Sequence, residues 1–334
     1  FIDIGSFERL RDGEPWFGYR QFCQLFLYPL YLLAFRGVDY VPLLRGNIDG
    51  ISPTQCRSML RRRDLRRRGV FSHVYLQSKL EQSRGGESGE QARSDLKASG
   101  FKPELIVHNV NGLRKRVGKL RWKASESLWS TYGGRGHYSD ADLDHKRDFV
   151  LQAATDRRRR TIVDLGCNDG EFSRLVRDHA DTVVAVDGDH LVVDVLYRSL
   201  REEGDNTVLP LVMNLGDPSP AIGWRNAERP SVVERPDADL VLGLARLHHL
   251  CIAGYAPLDE AVAFFADFGC EAVIEFPHRD DPMVRTLLAN KREGLHADYS
   301  LEGFERALGH RFSIDRQATL PSGTRTLYQA SPRR

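Results

Sequence analysis

The sequence predicts an α/β protein, in which a Rossmann-like parallel sheet with helices on both faces follows a mostly helical N-terminal region. Three observations lead to this fold class. Short apolar runs alternate with helical segments after residue 160, a glycine-rich turn follows the first run, and a Ser-Gly turn separates the last two runs. The alternation requires crossover connections, and the last two runs fit an antiparallel hairpin.

Five short strands are expected before the hairpin, each an apolar run bounded by turn or helical residues. These are TIVDLG (161–166), TVVAVD (182–187), LPLVMN (209–214), ADLVLGLA (238–245) and EAVIEF (271–276). The hairpin is expected from RFSIDRQATL (311–320) and TRTLYQAS (324–331).

The region before the sheet is expected to be mostly helical. A broad apolar face over residues 14–35 predicts a helix with Pro15 near its start. Residues 52–69 predict one short helix in which Ser52 is the N-cap and Gly69 ends the helix. Further helices are expected over 70–82, 103–130 and 141–156.

Composition and charge exclude several classes of protein. The chain has 334 residues, of which 41% are hydrophobic, so it can bury a sizeable core, and its net charge of +2 creates no global field for nucleic acid or membranes. The five cysteines are dispersed without a CxxC pair, which favours reduced thiols in a cytoplasmic protein and predicts no metal site. The most apolar stretch, LFLYPLYLLAF (25–35), is too short to span a bilayer.

The turn DLGCNDG after the first strand is the candidate ligand site. A nicotinamide-binding turn needs glycines where Asn168 and Glu171 stand, and no Gly-Lys-Ser/Thr follows to form a phosphate-binding loop. What the turn offers is the spacing Asp164, Gly166, Asn168 and Gly170. Asn tolerates a left-handed backbone, and an acidic residue at the end of the strand suits a cationic ligand.

Two further positions at the same edge of the sheet complete the predicted site. Asp187 ends the second strand, where a carboxylate can accept both hydroxyls of a ribose. After the third strand, Asn214 and Leu215 offer a polar side chain and a backbone amide beside an apolar wall, which suits adenine.

The turn, the Asp after the second strand and the closing hairpin resemble class I S-adenosylmethionine-dependent methyltransferases over residues 140–334, with Asn168 where that family commonly has glycine. The resemblance implies a seven-stranded sheet and S-adenosyl-L-methionine as methyl donor. It also implies cofactor contacts by Gly166 and Gly170 with the methionine moiety, Asp187 with the ribose, Asn214 and Leu215 with adenine, and Asp164 through the turn or the cofactor's amino group.

The resemblance extends along the chain to a bacterial group labelled nodulation-protein-like or simply methyltransferase, through LARLHHL (244–250) and IEFPHRDDPMV (274–284) among other stretches. That group implies no particular acceptor. The opening FIDIGSF (1–7) resembles a strand of kinase-like phosphotransferases with Asp3 as metal ligand, but the partner loop of such folds would precede it, so no kinase activity is carried over. Because the chain starts inside an apolar run, we expect further residues upstream.

Four residues are candidates for contact with the methyl acceptor or the methionine end of the cofactor. His248 and His249 follow the fourth strand, where a neutral imidazole can take a proton from the acceptor, or one histidine can instead shape the loop. Glu275 ends the fifth strand and is either an acceptor contact or a buried, hydrogen-bonded carboxylate. Tyr138 precedes the first strand and either contacts the cofactor or packs as part of a lid.

A nucleic-acid partner is the alternative suggested by RSMLRRRDLRRR (57–68), where seven arginines surround one Asp. No aromatic residues interleave with these arginines for base stacking, so a solvated surface is favoured.

The expected domain plan is a helical region over 1–82, which is alternatively the remnant of a kinase-like lobe, a flexible linker over 83–100, a helical lid or connector over 101–160, and a methyltransferase domain over 161–334. The expected function is methyl transfer to a small-molecule, sugar or natural-product acceptor. RNA methylation and a non-catalytic cofactor-binding regulatory module remain as alternatives. No membrane partner is expected, and the sequence leaves the acceptor and the oligomeric state open.

Overall fold

The structure, a computed structural model, describes residues 16–83, 103–122 and 138–333. The chain divides near residue 125 into two compact units, and each is described by itself. The predicted linker over 83–100, apart from its first residue, and the FIDIGSF run lie outside the described residues. The four-part domain plan therefore stays a prediction.

The first unit is helical in its described part. Its helices are α1 (Tyr19–Phe22), α2 (Tyr28–Arg36), α3 (Val41–Arg45), α4 (Pro53–Met59), α5 (Arg68–Val70), α6 (Leu76–Ser83) and α7 (Pro103–Val117). One wider turn of π-helix, Cys23–Leu27, joins α1 to α2, and another, Phe71–Tyr75, joins α5 to α6. Buried apolar side chains form one core in this unit. They come from α2, α4, α7 and the π-helical turn before α6, and include Tyr28, Leu32, Cys56, Val74 and Leu113.

The single helix predicted over 52–69 is wrong, although its start is confirmed. Ser52 caps α4 through a capping box with Gln55, in which each side chain accepts a hydrogen bond from the other residue's backbone N–H. The helix then ends at Met59, because Leu60 is extended and buried. The buried carboxylate of Asp64 accepts from the backbone N–H of Arg61 and begins a separate short turn.

The second unit contains a seven-stranded sheet with strands β1 (Arg159–Leu165), β2 (Ala180–Asp187), β3 (Val208–Val212), β4 (Leu240–Gly243), β5 (Glu271–Pro277), β6 (Phe312–Thr319) and β7 (Arg325–Pro332). Their order is β3-β2-β1-β4-β5-β7-β6. The first five strands pair in parallel, and β7 lies antiparallel between β5 and β6. The predicted Rossmann-like α/β fold and its terminal hairpin are confirmed.

One helix of this unit precedes β1, and the others lie between strands, as the alternation predicted. They are α8 (Asp140–Thr155), α9 (Glu171–Val176), α10 (His190–Glu203), α11 (Leu258–Ala266), α12 (Pro282–Ala289) and α13 (Leu301–Arg311). Ser139 caps α8 by accepting a hydrogen bond from the backbone N–H of Asp142 at 3.1 Å.

The central strands are buried on both faces, which explains their continuous apolar runs. On β1, Val163 and Leu165 belong to one hydrophobic core and Ile162 to the other. The strand order reverses between β1 and β4, and ligands bind at such a switch point, beyond the carboxyl ends of the strands. Within the described residues, no helix is long and apolar enough to cross a lipid bilayer.

Candidate functional site

The turn after β1 has a left-handed backbone at three positions. The φ angles are 92° at Gly166, 49° at Asn168 and 83° at Gly170. Glycine adopts this region freely, and Asn tolerates it. At Gly170 a Cβ would also lie 2.5 Å from Cδ1 of Leu196 on α10, so the position requires glycine for space as well. These backbone demands explain the spacing of the DLGCNDG motif.

Asp187, the last residue of β2, lies beside this turn. Its Oδ2 accepts the backbone N–H of Asn168 at 3.1 Å, and its Oδ1 accepts the backbone N–H of Asp189 at 3.0 Å. The residue is only 5% exposed. The two backbone hydrogen bonds hold the carboxylate against the turn, and each oxygen has a further lone pair for a second donor.

Arg246 supplies such a donor, and sequence reasoning missed it. Its Nη2 donates to Oδ2 of Asp187, and a Cβ on Gly166 would overlap the Arg246 Nε. The arginine side chain therefore lies directly over the first glycine of the turn. The available signal was its position in LARLHHL, shortly after β4 and at the same edge of the sheet.

Asp164 lies beneath the turn, near the end of β1. It is 2% exposed, and its Oδ2 accepts a hydrogen bond from the Ser173 hydroxyl at 2.6 Å. Burial raises the pKa of Asp164 to about 6, although the Ser173 hydrogen bond and the Arg246 charge act in the opposite direction. The Asp164 carboxylate therefore affects the site from inside the protein. It lies under the turn and adds a negative electrostatic potential to the site.

Asn214 and Leu215 follow β3 at the same edge. The end of β3 is tied to β2, because the backbone N–H of Met213 donates to the carbonyl oxygen of Asp187 at 2.8 Å. The Asn214 side-chain oxygen accepts the backbone N–H of Gly216 at 2.9 Å, and a Cβ on Gly188 would lie 3.7 Å from Asn214 Cα. The residues predicted for ribose and adenine are thus brought together around the ends of β2 and β3.

His248 and His249 follow β4 with their rings 4.2 Å apart between centroids. His248 is 1% exposed and its Nδ1 has no hydrogen-bond partner in the described part of the chain, whereas His249 is half-buried. Burial lowers the pKa of His249 to about 4, with Arg246 and Arg325 adding to the effect, and burial holds the pKa of His248 well below 6.5. Both imidazoles are therefore neutral at physiological pH.

Glu275 on β5 lies inside the protein and has two cationic partners. Its Oε2 lies 2.7 Å from Lys146 Nζ on α8, and its Oε1 lies 3.2 Å from Arg325 Nη1 on β7. All three side chains are at most 3% exposed. Burial alone would raise the pKa of Glu275, but Lys146 and Arg325 lower it to about 2. Of the two roles that the sequence left open for Glu275, the geometry matches the buried, hydrogen-bonded carboxylate.

Tyr138 joins the same cluster. Its hydroxyl donates to Glu275 Oε1 at 2.8 Å, and accepts from Lys146 Nζ at 3.0 Å and from Arg325 Nη1. Arg325 also forms a two-point contact with Asp281, through Nε at 2.7 Å and Nη2 at 3.1 Å. Tyr138 therefore anchors the start of α8 to β5 and β7, which makes it a packing and positioning residue in this structure.

The arginine-rich stretch (57–68) falls within the single helix predicted over 52–69, but that helix ends at Met59. Six of its arginines are exposed: Arg61, Arg62, Arg63, Arg66, Arg67 and Arg68. Arg67 is engaged within the fold, 3.6 Å from Asp64 and over the ring of Phe35. The described residues contain no group of three His, Cys, Asp or Glu side chains arranged to hold a metal ion.

The residues present fit an adenosylmethionine cofactor in chemistry and shape. The left-handed turn carries no side chain of its own at Gly166 or Gly170, and the Arg246 side chain lies over Gly166. A carboxylate fixed by backbone amides ends β2, as a ribose requires. With the strand order and the antiparallel β7, these features give this unit the fold typical of class I S-adenosylmethionine-dependent methyltransferases.

The chain belongs to the same family as nodulation protein NoeA of Rhizobium meliloti (strain 1021). The two are 32% identical over 335 residues, which cover 98% of this chain and 69% of that protein. The predicted resemblance to a nodulation-protein-like methyltransferase group is confirmed. No protein-family model matches the chain.

Solved structures that match the chain include methyltransferases of low sequence identity. One is a SAM-dependent methyltransferase from Aquifex aeolicus, at a TM-score of 0.41 and 13% identity, covering 58% of this chain and 94% of that one. Another is the N-methyltransferase NodS from Bradyrhizobium japonicum WM9, at a TM-score of 0.41 and 11% identity, covering 59% and 99%. Because these TM-scores and identities are low, the assignment of the fold rests on the strand order and on the geometry of the site, and not on these structures.

Proposed function

We propose that this protein transfers the methyl group of S-adenosyl-L-methionine to a small-molecule acceptor bound beyond the carboxyl ends of β4 and β5. The observation that carries the proposal is the Asp187 carboxylate, which backbone amides fix beside the left-handed turn after β1. A buried carboxylate at this place suits the two hydroxyls of a ribose, and the glycines of the turn allow the rest of the cofactor to approach the backbone.

Each part of the cofactor has its own contacts in this proposal. Gly166 and Gly170 border the amino-acid end, Asp187 binds the ribose, and Asn214 with Leu215 borders the adenine. Asp164 supplies negative potential beneath the turn, which favours the cofactor's ammonium group. When bound, the cofactor supplies an electrophilic methyl group on a sulfonium. The protein's task is to hold the acceptor atom in line with that methyl and to exclude water.

A small acceptor is favoured by the closed packing at the end of β4. Leu247 is fully buried, Leu250 is 8% exposed and His248 is 1% exposed, so these residues form compact walls rather than an open platform. A polymer such as RNA needs an extended surface with stacking groups and phosphate contacts. The described loop after β4 suits an enclosed ligand better.

His249 is the proposed proton acceptor when the acceptor atom must lose a proton. It is neutral at physiological pH because burial lowers its pKa to about 4, and it is more accessible than His248. His248 packs against its ring. Glu275 is proposed as a positioning residue, because both of its oxygens are held by Lys146, Arg325 and Tyr138.

The first experiment is calorimetric titration of the wild type, Asp187→Ala and Asp181→Ala with S-adenosylmethionine and S-adenosylhomocysteine. Asp181 is the matched control, because it lies on the same strand at the exposed, opposite end. We expect wild type and Asp181→Ala to bind equally, and Asp187→Ala to bind at least about tenfold more weakly, since a charge-assisted hydrogen bond is lost. Absence of binding to the wild type would overturn the proposed cofactor.

The acceptor class is tested by incubating the protein with methyl-labelled S-adenosylmethionine and a bacterial extract separated into dialysable and RNA fractions. Label in the dialysable fraction, lost in Asp187→Ala, supports the proposal. Label in RNA instead, lost when Arg61, Arg62 and Arg63 are changed to Gln, establishes RNA as the acceptor. Cofactor binding without label in any fraction establishes the non-catalytic alternative.

A further inference from the structure

The side chain of Arg246 occupies an unusual position between two parts of the site. Its guanidinium is paired with Asp187, and its stem lies over Gly166, where a Cβ would overlap it. The side chain is 20% exposed, so it can reorganise without opening the hydrophobic core. Arg246 therefore lies over the first glycine of the turn while holding the carboxylate at the end of β2.

A ribose whose two hydroxyls donate one to each oxygen of Asp187 finds a free lone pair on Oδ1, which accepts only the Asp189 N–H, but competes with the Arg246 guanidinium for Oδ2. Oδ2 of Asp187 already accepts the Asn168 backbone N–H at 3.1 Å and the arginine, and an oxygen has two lone pairs. A ribose hydroxyl that donates to this oxygen must displace the arginine. The hydroxyl is uncharged, so the exchange by itself leaves a partly buried cation without its anion, which is unfavourable.

Among the described residues, Asp164 and Glu275 are two other buried carboxylates of the site, and both are already engaged by other partners. Asp164 is buried under the turn, already accepts the Ser173 hydroxyl and has a pKa raised to about 6 by burial. Glu275 is held by Lys146 and Arg325. A ligand that brings its own carboxylate to the space above Gly166 satisfies the arginine, and the α-carboxylate of an amino acid has the planar two-oxygen geometry that a guanidinium binds best.

We propose that Arg246 exchanges partners on cofactor binding: it leaves Asp187 for the α-carboxylate of the cofactor's amino-acid end, and thereby makes the site selective for nucleosides that carry that group. The inference rests on the proposed function, since it assumes a ribose at Asp187. Arg246 is then a specificity-determining residue: a nucleoside without the amino-acid end must break the Arg246–Asp187 pair with no replacement, whereas the complete cofactor restores the pairing in a new place.

The test compares two ligands that both carry adenine, ribose and an uncharged thioether. S-adenosylhomocysteine has the amino-acid end, and 5′-methylthioadenosine lacks it. Binding is measured by calorimetry for wild type, Arg246→Ala and Arg246→Gln. In the wild type we expect S-adenosylhomocysteine to bind at least about tenfold more tightly. In both variants its affinity should fall by about tenfold, while methylthioadenosine binds as well as before or better, so the ratio of affinities collapses.

Arg198→Ala is the matched control, because Arg198 also pairs with a carboxylate, Asp194 at 2.9 Å, but on the exposed face of α10. It should leave the ratio unchanged. Arg246→Gln keeps most of the side-chain length if Arg246→Ala fails to fold, and a thermal melt of each variant without ligand checks folding.

The outcomes separate this inference from the function on which it rests. If both ligands weaken or tighten in parallel in the Arg246 variants, with the ratio unchanged, the exchange is overturned while the cofactor site stands. If neither ligand binds the wild type, the proposed function itself is overturned.

Discussion

Glu275 on β5 and Lys146 on α8 form an ion pair of 2.7 Å, in which neither side chain is more than 3% exposed. The two residues are 129 positions apart in the sequence. Such a pair is costly to bury, and it is tolerated here because Arg325 and Tyr138 complete the hydrogen bonding around it.

The first prediction concerns this pair. Glu275→Leu leaves two buried cations with one fewer anion, and Lys146→Met leaves Glu275 short of a partner, so each should lower the free energy of unfolding by about 3–5 kcal/mol. The double variant removes both charges and should recover at least half of the summed loss. Urea unfolding measures the free energy of unfolding of all three variants.

Asp194→Ala, which breaks an exposed pair with Arg198, serves as the control and should lower the free energy of unfolding by less than about 1 kcal/mol. Strict additivity in the double variant would contradict the coupling.

The second prediction concerns Asp164. Its pKa is raised from 3.8 to about 6 by burial, so the folded state binds a proton more tightly than the unfolded state between those values. Its contribution to stability is therefore present at low pH and is lost as the pH rises through about 6. Asp164→Asn removes the buried charge and should raise stability at pH 7 by roughly 2–3 kcal/mol.

Thermal melts of wild type and Asp164→Asn from pH 4 to pH 8 measure this effect. The gap between the two should widen from about pH 4 to about pH 6 and stay constant above that. The variant should also bind S-adenosylhomocysteine more weakly, because the negative potential under the turn is gone. A constant gap across the pH range would show that Asp164 has an ordinary pKa.

The third prediction separates backbone strain from space at the turn. Gly170 and Gly204 both have positive φ angles, 83° and 71°, but a Cβ meets Leu196 only at Gly170, and at Gly204 nothing lies within 4 Å. Alanine at either position should cost about 1–2 kcal/mol from strain. Gly170→Ala should cost about 1–3 kcal/mol more, because Leu196 must shift, and should weaken cofactor binding. Equal losses in urea unfolding would mean that the Leu196 contact gives way freely.

The fourth prediction divides the histidine pair. His249→Asn should lower kcat by about 10²–10⁴-fold for an acceptor that must lose a proton, with cofactor affinity retained. Because the pKa of His249 is lowered to about 4, the base is already neutral above that value, so this group should give the wild type a flat rate from pH 5 to pH 8 and a fall only as the pH approaches 4. His248→Asn, at a buried position, should chiefly lower the melting temperature. Equal rate losses in both variants, with equal stability, would contradict this division.

The sequence predicted the parts of the site that depend on local backbone. Left-handed angles at Gly166, Asn168 and Gly170 demand particular residue types at fixed spacing, and Asp187 marks the end of an apolar strand. The positions of the strands were also predictable from the sequence, because each strand is buried on one or both faces and therefore has a recognisable pattern of apolar residues. The end of α4 was not predictable, because it depends on the burial of Leu60 in an extended conformation and on the separate turn at Asp64, which are set by tertiary packing.

The charges that surround the site were not predictable, because their partners are distant in the chain. Arg246 lies 59 residues from Asp187, and Arg325 lies 50 residues from Glu275. Nothing in the residues next to Glu275 indicates whether it faces a substrate or two cations. Only the sheet order, which brings β7 beside β5, decides between the two roles.

The place of β7 in the sheet also has a consequence for synthesis on the ribosome. β5 emerges first, with Glu275 on it, and its neighbour β7 follows only after α12, α13 and β6. Until β7 arrives, β5 is an outer strand paired only with β4, and Glu275 lacks Arg325. The nascent sheet therefore stays incomplete at this edge through the translation of some 50 further residues, a period in which strand β5 is open to pairing with other chains.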